Sequence, residues 1–380
     1  MDFNLSREQR DIVRAAREFA QGEFPNRAAE FDREERFDLG IWRKACELGF
    51  VGTFLPEEYG GAGMGFLEHC LITEEFWAVD PGCGQSVLST TFGAEMLALF
   101  ASHEQKQHIL PGLCEGKGIL STAITEPDAG SDPTQAVTTA ELHGDEWVIN
   151  GAKMFITNGT QCQNMVVFCV TDPDHPSRHQ RHSFIWVEAD RPGVTAKKLH
   201  GKLGIRANDT AELAFNEVRV PADHLVGVRG QGFNQVMELF NRARLHICAQ
   251  AVGLARACLE DSVRHVKARV QFGQTLASFQ GTQFKIAEMA TRIRASRNLY
   301  YEAAWRSDQG KMDHALTAMA KWFSARTAVE AADEAVQMHG GYGYLDEYRV
   351  QRLYRDAKIL EIYEGAKEVE KLIVARSVLG

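Results

Sequence analysis

The stretch VMELFNRARLHICAQAVGLARACLEDSVRHVKARV (residues 236–270) keeps an apolar pattern with a period of about 3.6 residues along its length. Such a long amphipathic helix is typical of a helix bundle. A second helical stretch, DHALTAMAKWFSARTAVEAADEAVQMHG (residues 313–340), ends at Gly340 and Gly341, where a helix C terminus is expected. The sequence therefore predicts a helix bundle in the C-terminal part of the chain.

Before this bundle, between about residues 119 and 227, the pattern changes to short β-type runs. We interpret HGD (143–145) and NG (150–151) as turns between them. The predicted strands include EWVIN (146–150), NMVVFCV (164–170), SFIWVEA (183–189) and ELAFNEVRV (212–220). This region therefore predicts a small sheet domain.

The first part of the chain, from residue 5 to about 117, has a helical pattern again. Ser6 and Gln9 form a capping box at its start. The glycines of EEYGGAGMGF (57–66) interrupt the pattern and predict a loop. We therefore divide the chain into three domains, 1–118, 119–228 and 229–380.

Composition excludes several classes of protein. The chain has 380 residues, of which 44% are hydrophobic and 24% charged, as in a soluble globular protein of two or three domains. Lys and Arg number 42 against 51 Asp and Glu, which gives a net charge of −9, and no basic run occurs. Nucleic acid and anionic membranes are therefore not expected as partners, because both bind clustered positive charge.

The sequence also bears on location and metals. The eight cysteines include no Cys-x-x-Cys pair, the chain is charged from Asp2 onward, and no stretch approaches the ~20 apolar residues of a membrane span. We therefore expect a reduced, cytoplasmic protein. The loop at 172–183 is expected to be solvated. Four histidines in or near it match no metal-ligand spacing, so no metal site is predicted: His175, His179, His182 and His200.

Two patches in the sheet region could hold a cofactor. In ITEPDAGSD (124–132), Thr125 and Ser131 offer donors for an anion or cofactor, or they bond only their own backbone. In NGAKMFITN (150–158), a turn followed by a strand, Phe155 and Thr157 would share one face. They could hold a ring, or the strand is an ordinary half-buried one.

Two further patches lie near the C terminus. The glycines of QMHGGYGYLDEYRVQRLYRD (337–356) bring the backbone close to a ligand, or they form a helix–helix corner. In IYEGAKEVEKLIVARSVLG (362–380), Glu364 stands before the final helix. Apolar neighbours could desolvate it and make it a general base, or it serves only the helix dipole.

Taken together, these patches resemble the acyl-CoA dehydrogenase family of flavoenzymes, almost end to end. The motifs that carry the resemblance are LPEEYGG (55–61), ITEPDAGSD, GAKMFITN (151–158), KLGIRANDTAELAFNEVRVP (202–221), ARVQFGQ (268–274), QMHGGYGY (337–344) and YRDAKILEIYEG (354–365). The resemblance implies a mainly α fold, with an N-terminal helical domain, a β-barrel-like middle domain and a C-terminal four-helix bundle. It also implies a homotetramer (a dimer of dimers) that binds FAD and a coenzyme A thioester.

Individual residues carry over to family positions. Glu364 matches the catalytic base, and Arg269, Phe272 and Gln280 match positions that hold the FAD of a neighbouring subunit. The FAD-binding residues implied are Ile124, Thr125, Ser131, Phe155, Thr157, Arg269, Phe272, Gln280, Gln337, Gly340, Gly341, Ala366 and Glu368. The substrate-binding residues implied are Ser131, Phe240, Asn241, Arg244, Tyr363 and Gly365.

The chain departs from the family pattern at several of these positions. Asn241 replaces the usual Asp, Ala366 replaces Thr and so lacks one FAD contact, and Phe155 replaces Trp. Some family members carry the base at the position of Ala243, which cannot accept a proton. Within the resemblance, Glu364 is therefore the remaining candidate base.

The resemblance implies that Glu364 removes the pro-R α-proton of an acyl-CoA while a β-hydride passes to flavin N5, which yields a trans-2-enoyl-CoA. Electrons would then pass to electron-transfer flavoprotein. An acyl-CoA oxidase that uses oxygen and a non-catalytic acyl-CoA-binding flavoprotein scaffold are the alternatives. The length of the chain argues against the oxidase, and the intact Glu364 argues against the scaffold.

Substrate choice is open at this stage. GQSVLSTTFGAEMLALF (84–100) is expected to line part of the acyl pocket, and Glu95 is unusual in this apolar run. We expect Glu95 to face solvent or a neighbouring subunit, with contact to a polar acyl tail as the alternative. No arginine lies between Asp80 and Phe100, which disfavours a dicarboxylic acyl group.

Overall fold

The computed structural model describes residues 4–380. The α-helices of this part of the chain are α1 (Arg7–Glu23), α2 (Pro25–Glu34), α3 (Leu39–Glu47), α4 (Phe66–Val79), α5 (Pro81–Leu88), α6 (Ala94–Phe100), α7 (His103–Cys114), α8 (Gly232–Ala268), α9 (Gln280–Asp308), α10 (His314–His339), α11 (Val350–Ala357) and α12 (Lys367–Leu379). The strands are β1 (Leu120–Ala123), β2 (Thr139–His143), β3 (Glu146–Thr157), β4 (Asn164–Val170), β5 (His182–Glu188), β6 (Val194–Lys198), β7 (Thr210–Pro221), β8 (Leu225–Val226), β9 (Val270–Gln271) and β10 (Gln274–Thr275). The predicted order of helices, sheet and helices is confirmed.

Local signals in the N-terminal helices act as predicted. The Ser6 hydroxyl accepts from Gln9 N at 3.0 Å and the Gln9 side chain accepts from Ser6 N at 2.9 Å, which completes the capping box of α1. The predicted glycine loop lies just before α4. Within it, a Cβ at Gly61 would overlap the Leu55 carbonyl oxygen, so this close approach requires glycine.

The middle domain is one open sheet with the order β6-β7-β3-β2-β4-β5-β8, and β1 pairs with β4. The predicted turn at 143–145 is confirmed, since His143 pairs with Glu146 across a β2–β3 hairpin. The predicted turn at Asn150-Gly151 is wrong, because both residues lie inside β3, at a bulge against β7. The Asn150 side chain donates to Glu217 Oε1 and accepts from Glu217 N on β7. This contact is distant in sequence, so the residues next to Asn150 could not predict it.

The C-terminal domain is the predicted four-helix bundle, built from α8, α9, α10 and α12. The predicted helix at 313–340 is confirmed as α10, with Asp313 capping its first turn and Gly340 ending it. Small side chains dominate the contact between α8 and α10, among them Ala249, Ala251, Ala255, Ala328, Ala331, Ala332 and Ala335. Close packing of these helices brings Arg244 of α8, Lys321 of α10 and Glu370 of α12 close to Glu364.

The fold class predicted from the sequence, mainly α with a barrel-like middle domain, is confirmed, although the sheet is not closed. The proposed boundaries at 118/119 and 228/229 fall between the last element of one group and the first of the next; residues 1–3 of the first domain lie outside the described residues. One part of the solvated loop is placed differently: His182 is buried in β5 and stacks on Phe168. Among residues 4–380, no helix has both the length and the apolar composition that crossing a bilayer requires.

Candidate active site

Glu364 lies in the short loop that connects the end of α11 to α12. Its φ is +54° and that of Gly365 is +103°, so two consecutive residues adopt left-handed backbone conformations. A non-glycine residue rarely adopts this conformation unless its surroundings hold it there. The φ of Gly365 favours glycine directly after the glutamate, and a Cβ there would also overlap a carboxylate oxygen of Glu370.

Glu364 is half-buried, and the Oε2 atom of its carboxyl group is enclosed by protein. Its Oε2 atom has no hydrogen-bond partner within residues 4–380. Burial raises the pKa of Glu364 from 4.5 to about 7, the positive charges of Lys321 and Arg244 oppose this rise, and the negative charges of Glu95 and Glu370 add to it. A carboxyl group of this kind can accept a proton near neutral pH.

One of the predicted substrate residues, Arg244, contacts the loop of Glu364, and a second, Asn241, is bonded to Arg244. Arg244 Nε donates to the Glu364 carbonyl oxygen at 3.2 Å and lies 3.0 Å from Glu370 Oε1, and a terminal guanidinium nitrogen donates to Asn241 Oδ1 at 3.0 Å. The predicted proximity of Asn241 and Arg244 is therefore realised as a mutual hydrogen bond. Phe240, half-buried, precedes them on α8.

Tyr363, next to the glutamate, is anchored by a buried polar chain. Its hydroxyl donates to Gln250 Oε1, and Gln250 Nε2 donates to Gln85 Oε1 at 2.8 Å. Burial raises the pKa of Tyr363 well above 10, so the phenol stays neutral. The chain links the catalytic loop to α8 and to α5, which lines the region where the acyl group is expected.

The two predicted cofactor patches of the sheet domain meet through a buried ion pair. Lys153 Nζ donates to Glu126 Oε1 at 2.7 Å and to the Ile124 carbonyl at 3.0 Å, and Met154 N donates to the Thr125 carbonyl at 2.8 Å. The stretch that begins ITEP is therefore held against the stretch GAKMF. These contacts place Ile124 and Thr125 beside the backbone that carries Phe155.

Phe155 and Thr157 lie on an irregular strand. The β3–β7 register shifts between Lys153 and Ile156, and Phe155 has φ +62°. Phe155 is 66% exposed, Ile156 is buried, and Thr157 is half-buried, so the aromatic ring stands free of the core at the bulge. The predicted cradle residue Ser131 is exposed on the loop after Ile124 and Thr125.

Six of the remaining predicted FAD residues lie at two places in the C-terminal domain, and Ala366 and Glu368 lie at a third. Phe272 is 93% exposed at the tip of the β9–β10 hairpin, and Gln280 is exposed at the start of α9. The Arg269 guanidinium lies 5.5 Å from the centre of the Tyr342 ring. A cavity of about 390 Å³ brings Arg269 together with the predicted glycine segment; its lining includes Arg269, Gln271, Leu276, Gln337, Gly340, Gly341 and Tyr342.

Ala366 and Glu368 lie at the start of α12. Ala366 is the N-cap residue and offers no side-chain hydrogen bond, and Glu368 is exposed in the first turn. Their FAD contacts stay predictions.

Glu95 is not placed as expected. Only 8% of it is exposed, so the expectation that it faces solvent or a neighbouring subunit is wrong. Its Oε2 accepts from Gly93 N at 3.1 Å, burial raises its pKa to about 7, and Arg242 opposes that rise. The packing of α6 against α8 turns this side chain inward, toward the charges around Glu364.

The sequence analysis missed two charged residues of the site, Lys321 and Glu370. Both are 0% exposed. Lys321 Nζ donates to the Gly365 carbonyl at 2.5 Å, and Glu370 lies beside Arg244. A lysine inside the apolar run ALTAMAKWF was a signal that could have revealed the first; Glu370 has no comparable local signal.

These features describe a carboxyl group with a raised pKa, set among buried charges from several helices, and a separate cavity beside Arg269. The profiles of the acyl-CoA dehydrogenase N-terminal, middle and C-terminal domains match residues 6–117, 121–218 and 230–379. The chain belongs to the acyl-CoA dehydrogenase family, and it is an oxidoreductase of that class.

Individual relatives agree with this assignment over their full length. The chain is 39% identical to the probable acyl-CoA dehydrogenase YngJ of Bacillus subtilis, with 100% of both chains covered. It superposes on butyryl-CoA dehydrogenase from Megasphaera elsdenii with a TM-score of 0.96 at 36% identity, again over 100% of both chains. A chain in the structure of the electron transferring flavoprotein of Acidaminococcus fermentans matches over 100% of both chains, with a TM-score of 0.97 at 39% identity.

Members of this family are FAD-dependent flavoproteins, which confirms the prediction of FAD as the cofactor. The residues present fit this group. The cavity beside Arg269 and Gln337 has room for one part of it and offers these two polar side chains, and Cβ atoms at Gly340 and Gly341 would point into open space. The exposed ring of Phe155 offers a flat surface for another part.

Proposed function

We propose that the chain catalyses the α,β-dehydrogenation of an acyl-CoA thioester to a trans-2-enoyl-CoA, with Glu364 as the base that removes the α-proton. The observation that carries the proposal is the enclosed Glu364 carboxyl group, whose Oε2 has no partner within residues 4–380 and whose pKa is raised to about 7. Bound FAD supplies the hydride acceptor. The chain supplies the base, its orientation and a site that excludes water.

The substrate contacts stay part of this proposal. We assign Tyr363, Gly365, Phe240 and Asn241 to the thioester and its nucleotide end, and Ser131 to both ligands. We assign Arg244, which is hydrogen-bonded to Asn241, to the same nucleotide end. Polar groups at Gln85 and Gln250 lie beside the same loop, at one wall of the expected acyl region.

A panel of acyl-CoA thioesters tests the proposal. We expect anaerobic addition of at least one straight, branched or cyclic acyl-CoA to bleach the yellow holoenzyme, with the enoyl-CoA as product. The free acids serve as the control, because they lack the thioester that acidifies the α-proton. A holoenzyme that binds acyl-CoA but is bleached by none of the panel would support the scaffold alternative.

The rate of flavin reduction at limiting acyl-CoA should increase with pH, with a midpoint near pH 7. Only the carboxylate form of Glu364 accepts a proton, and burial raises the pKa of this group to about 7, so activity is lost as pH falls through that value. Stopped-flow absorbance across the neutral range measures the midpoint. A midpoint close to 4.5, the ordinary value for Glu, would contradict the enclosed state of the base.

We propose electron-transfer flavoprotein as the electron acceptor, which the similarity to a chain of the Acidaminococcus structure supports. The oxidase alternative predicts the opposite preference. The substrate-reduced protein is therefore mixed in parallel with air-saturated buffer and with electron-transfer flavoprotein. Faster reoxidation by oxygen would favour the oxidase.

We also propose a homotetramer in which Arg269, Phe272 and Gln280 hold the FAD of a neighbouring subunit; the exposed β9–β10 hairpin supports this arrangement. Arg269→Ala should weaken FAD retention roughly tenfold, because a charge-assisted hydrogen bond is lost. Flavin fluorescence released on dilution measures the change. Arg264→Ala is the control, since Arg264 is exposed and its one ion pair within residues 4–380 is with Asp261, at 2.9 Å; equal FAD loss from both variants would contradict the assignment.

A further inference from the structure

Two cations from different helices hold the backbone on both sides of the Glu364–Gly365 peptide. Lys321 Nζ, from α10, donates to the Gly365 carbonyl at 2.5 Å. Arg244 Nε, from α8, donates to the Glu364 carbonyl at 3.2 Å. Both cations are buried, so each of these hydrogen bonds forms away from water and fixes one carbonyl of the strained loop.

A carboxyl group from a third helix lies beside Arg244; burial raises its pKa, and the charges of Arg244 and Lys321 oppose that rise. Glu370 of α12 is 0% exposed and its Oε1 lies 3.0 Å from Arg244 Nε. Neither carboxylate oxygen of Glu370 has an aligned hydrogen-bond donor within residues 4–380, so the contact acts mainly through charge. Burying a carboxylate costs several kcal/mol unless nearby charges offset it. The burial of Glu370 at this cost in stability suggests that its charge has a role in the site.

We propose that Lys321, Arg244 and Glu370 are positioning residues that hold the Glu364–Gly365 backbone and balance the charge around the Glu364 carboxylate. This proposal rests on the assignment of Glu364 as the base. None of the three is proposed to exchange a proton with the substrate. They act through Glu364, by fixing where it stands and how readily it is ionised.

The charged groups that act on Glu364 come from four helices. Lys321 on α10 and Arg244 on α8 favour its ionised form, whereas Glu370 on α12 and Glu95 on α6 disfavour it. Lys321 in turn interacts with Glu370, Arg244 and the Cys248 thiol, and burial lowers its pKa to about 8. Glu370 therefore offsets part of the positive charge that would otherwise turn Glu364 into a weaker base.

Two single substitutions should move the ionisation of Glu364 in opposite directions. Glu370→Gln leaves the positive charges of Lys321 and Arg244 without a counter-charge and should lower the titration midpoint of Glu364 by about one pH unit. Lys321→Met removes a positive charge and should raise this midpoint by about the same amount. The double variant should fall between them. Glu361→Gln is the matched control, because Glu361 is buried nearby but pairs with Lys358 and Lys367.

Two measurements test the positioning role, and the first does so independently of whether the protein dehydrogenates an acyl-CoA. Infrared difference titration of each protein against the same protein carrying Glu364→Gln reports the Glu364 midpoint without turnover. Stopped-flow flavin reduction reports the same midpoint in the reaction. Opposite shifts support the proposal, and shifts of the same sign, or none, overturn it; a wild type that no acyl-CoA bleaches would overturn only the proposed function.

The positioning half of the proposal has its own readout. At a pH above the shifted midpoint, Glu364 is fully ionised in Lys321→Met. Flavin reduction in this variant should still be roughly 10–100-fold slower than in the wild type, with an unchanged KM, because the Gly365 carbonyl is no longer held by Lys321. A rate that recovers fully at high pH would overturn that half. If Glu370→Gln does not fold, Lys321→Met and the double variant still decide the sign of the shifts.

Discussion

Glu364→Gln is expected to slow the bleaching of the flavin by acyl-CoA roughly 10²–10⁴-fold, the usual contribution of a positioned general base. The amide has nearly the same shape as the carboxyl group but cannot accept the α-proton. FAD content and thioester affinity should be retained, because Arg244 and Lys321 bind backbone carbonyls of this loop and not the glutamate side chain. Single-turnover absorbance measures the rate, and equilibrium binding of a non-reducible thioester measures the affinity.

Glu361→Gln is the control for this substitution. Glu361 is a buried glutamate three positions before the base, and its charge is paired with Lys358 and Lys367, with Arg326 at 3.8 Å. It should therefore bleach at close to the wild-type rate. Full bleaching by Glu364→Gln would show that another group takes the proton, and the role proposed for Glu364 would be wrong.

Glu74→Ala should lower the free energy of unfolding by about 3–5 kcal/mol, the usual effect of breaking a buried charge network. Glu74, on α4, accepts from Arg297 at 2.7 Å, from Arg256 at 2.9 Å and from the Tyr300 hydroxyl at 2.5 Å. Its removal leaves Arg297 and Tyr300 without this partner in the interior. Arg256 keeps Glu75.

Urea denaturation of the holoenzyme, followed by far-ultraviolet circular dichroism, measures this loss. Glu302→Ala is the matched control, because it also removes a glutamate paired with an arginine on α9, Arg306 at 2.6 Å, but on an exposed face. That variant should change stability by less than about 0.5 kcal/mol. Similar losses for both substitutions would contradict the expectation that the buried contacts of Glu74 with Arg297, Arg256 and Tyr300 stabilise the fold.

Periodic patterns and short motifs in the sequence were sufficient for the architecture. The 3.6-residue pattern over 236–270 corresponds to α8, and the glycines at 340–341 mark the end of α10. The capping box at Ser6 and the hairpin at 143–145 form as predicted, because each depends on residues within a few positions of one another.

The errors lie where distant residues compete with local signals. Asn150-Gly151 has the composition of a turn, but hydrogen bonds to Glu217 on β7 keep it inside a strand. His182 looked like part of a polar loop and is buried in β5. Glu95 looked like a surface charge and is enclosed by the packing of α6. In each case the decisive neighbours lie outside the local stretch.

The sequence alone determined the three-part fold, the family resemblance and the choice of Glu364 as the candidate base. Each of these depends on patterns and motifs that run along the chain. Only the tertiary structure placed Lys321, Arg244, Glu370 and Glu95 around that base. The physical reason is that helix packing brings together charges from four separate helices and removes water from between them. How readily Glu364 ionises depends on that burial and on those charges, and neither can be read from the residues next to it.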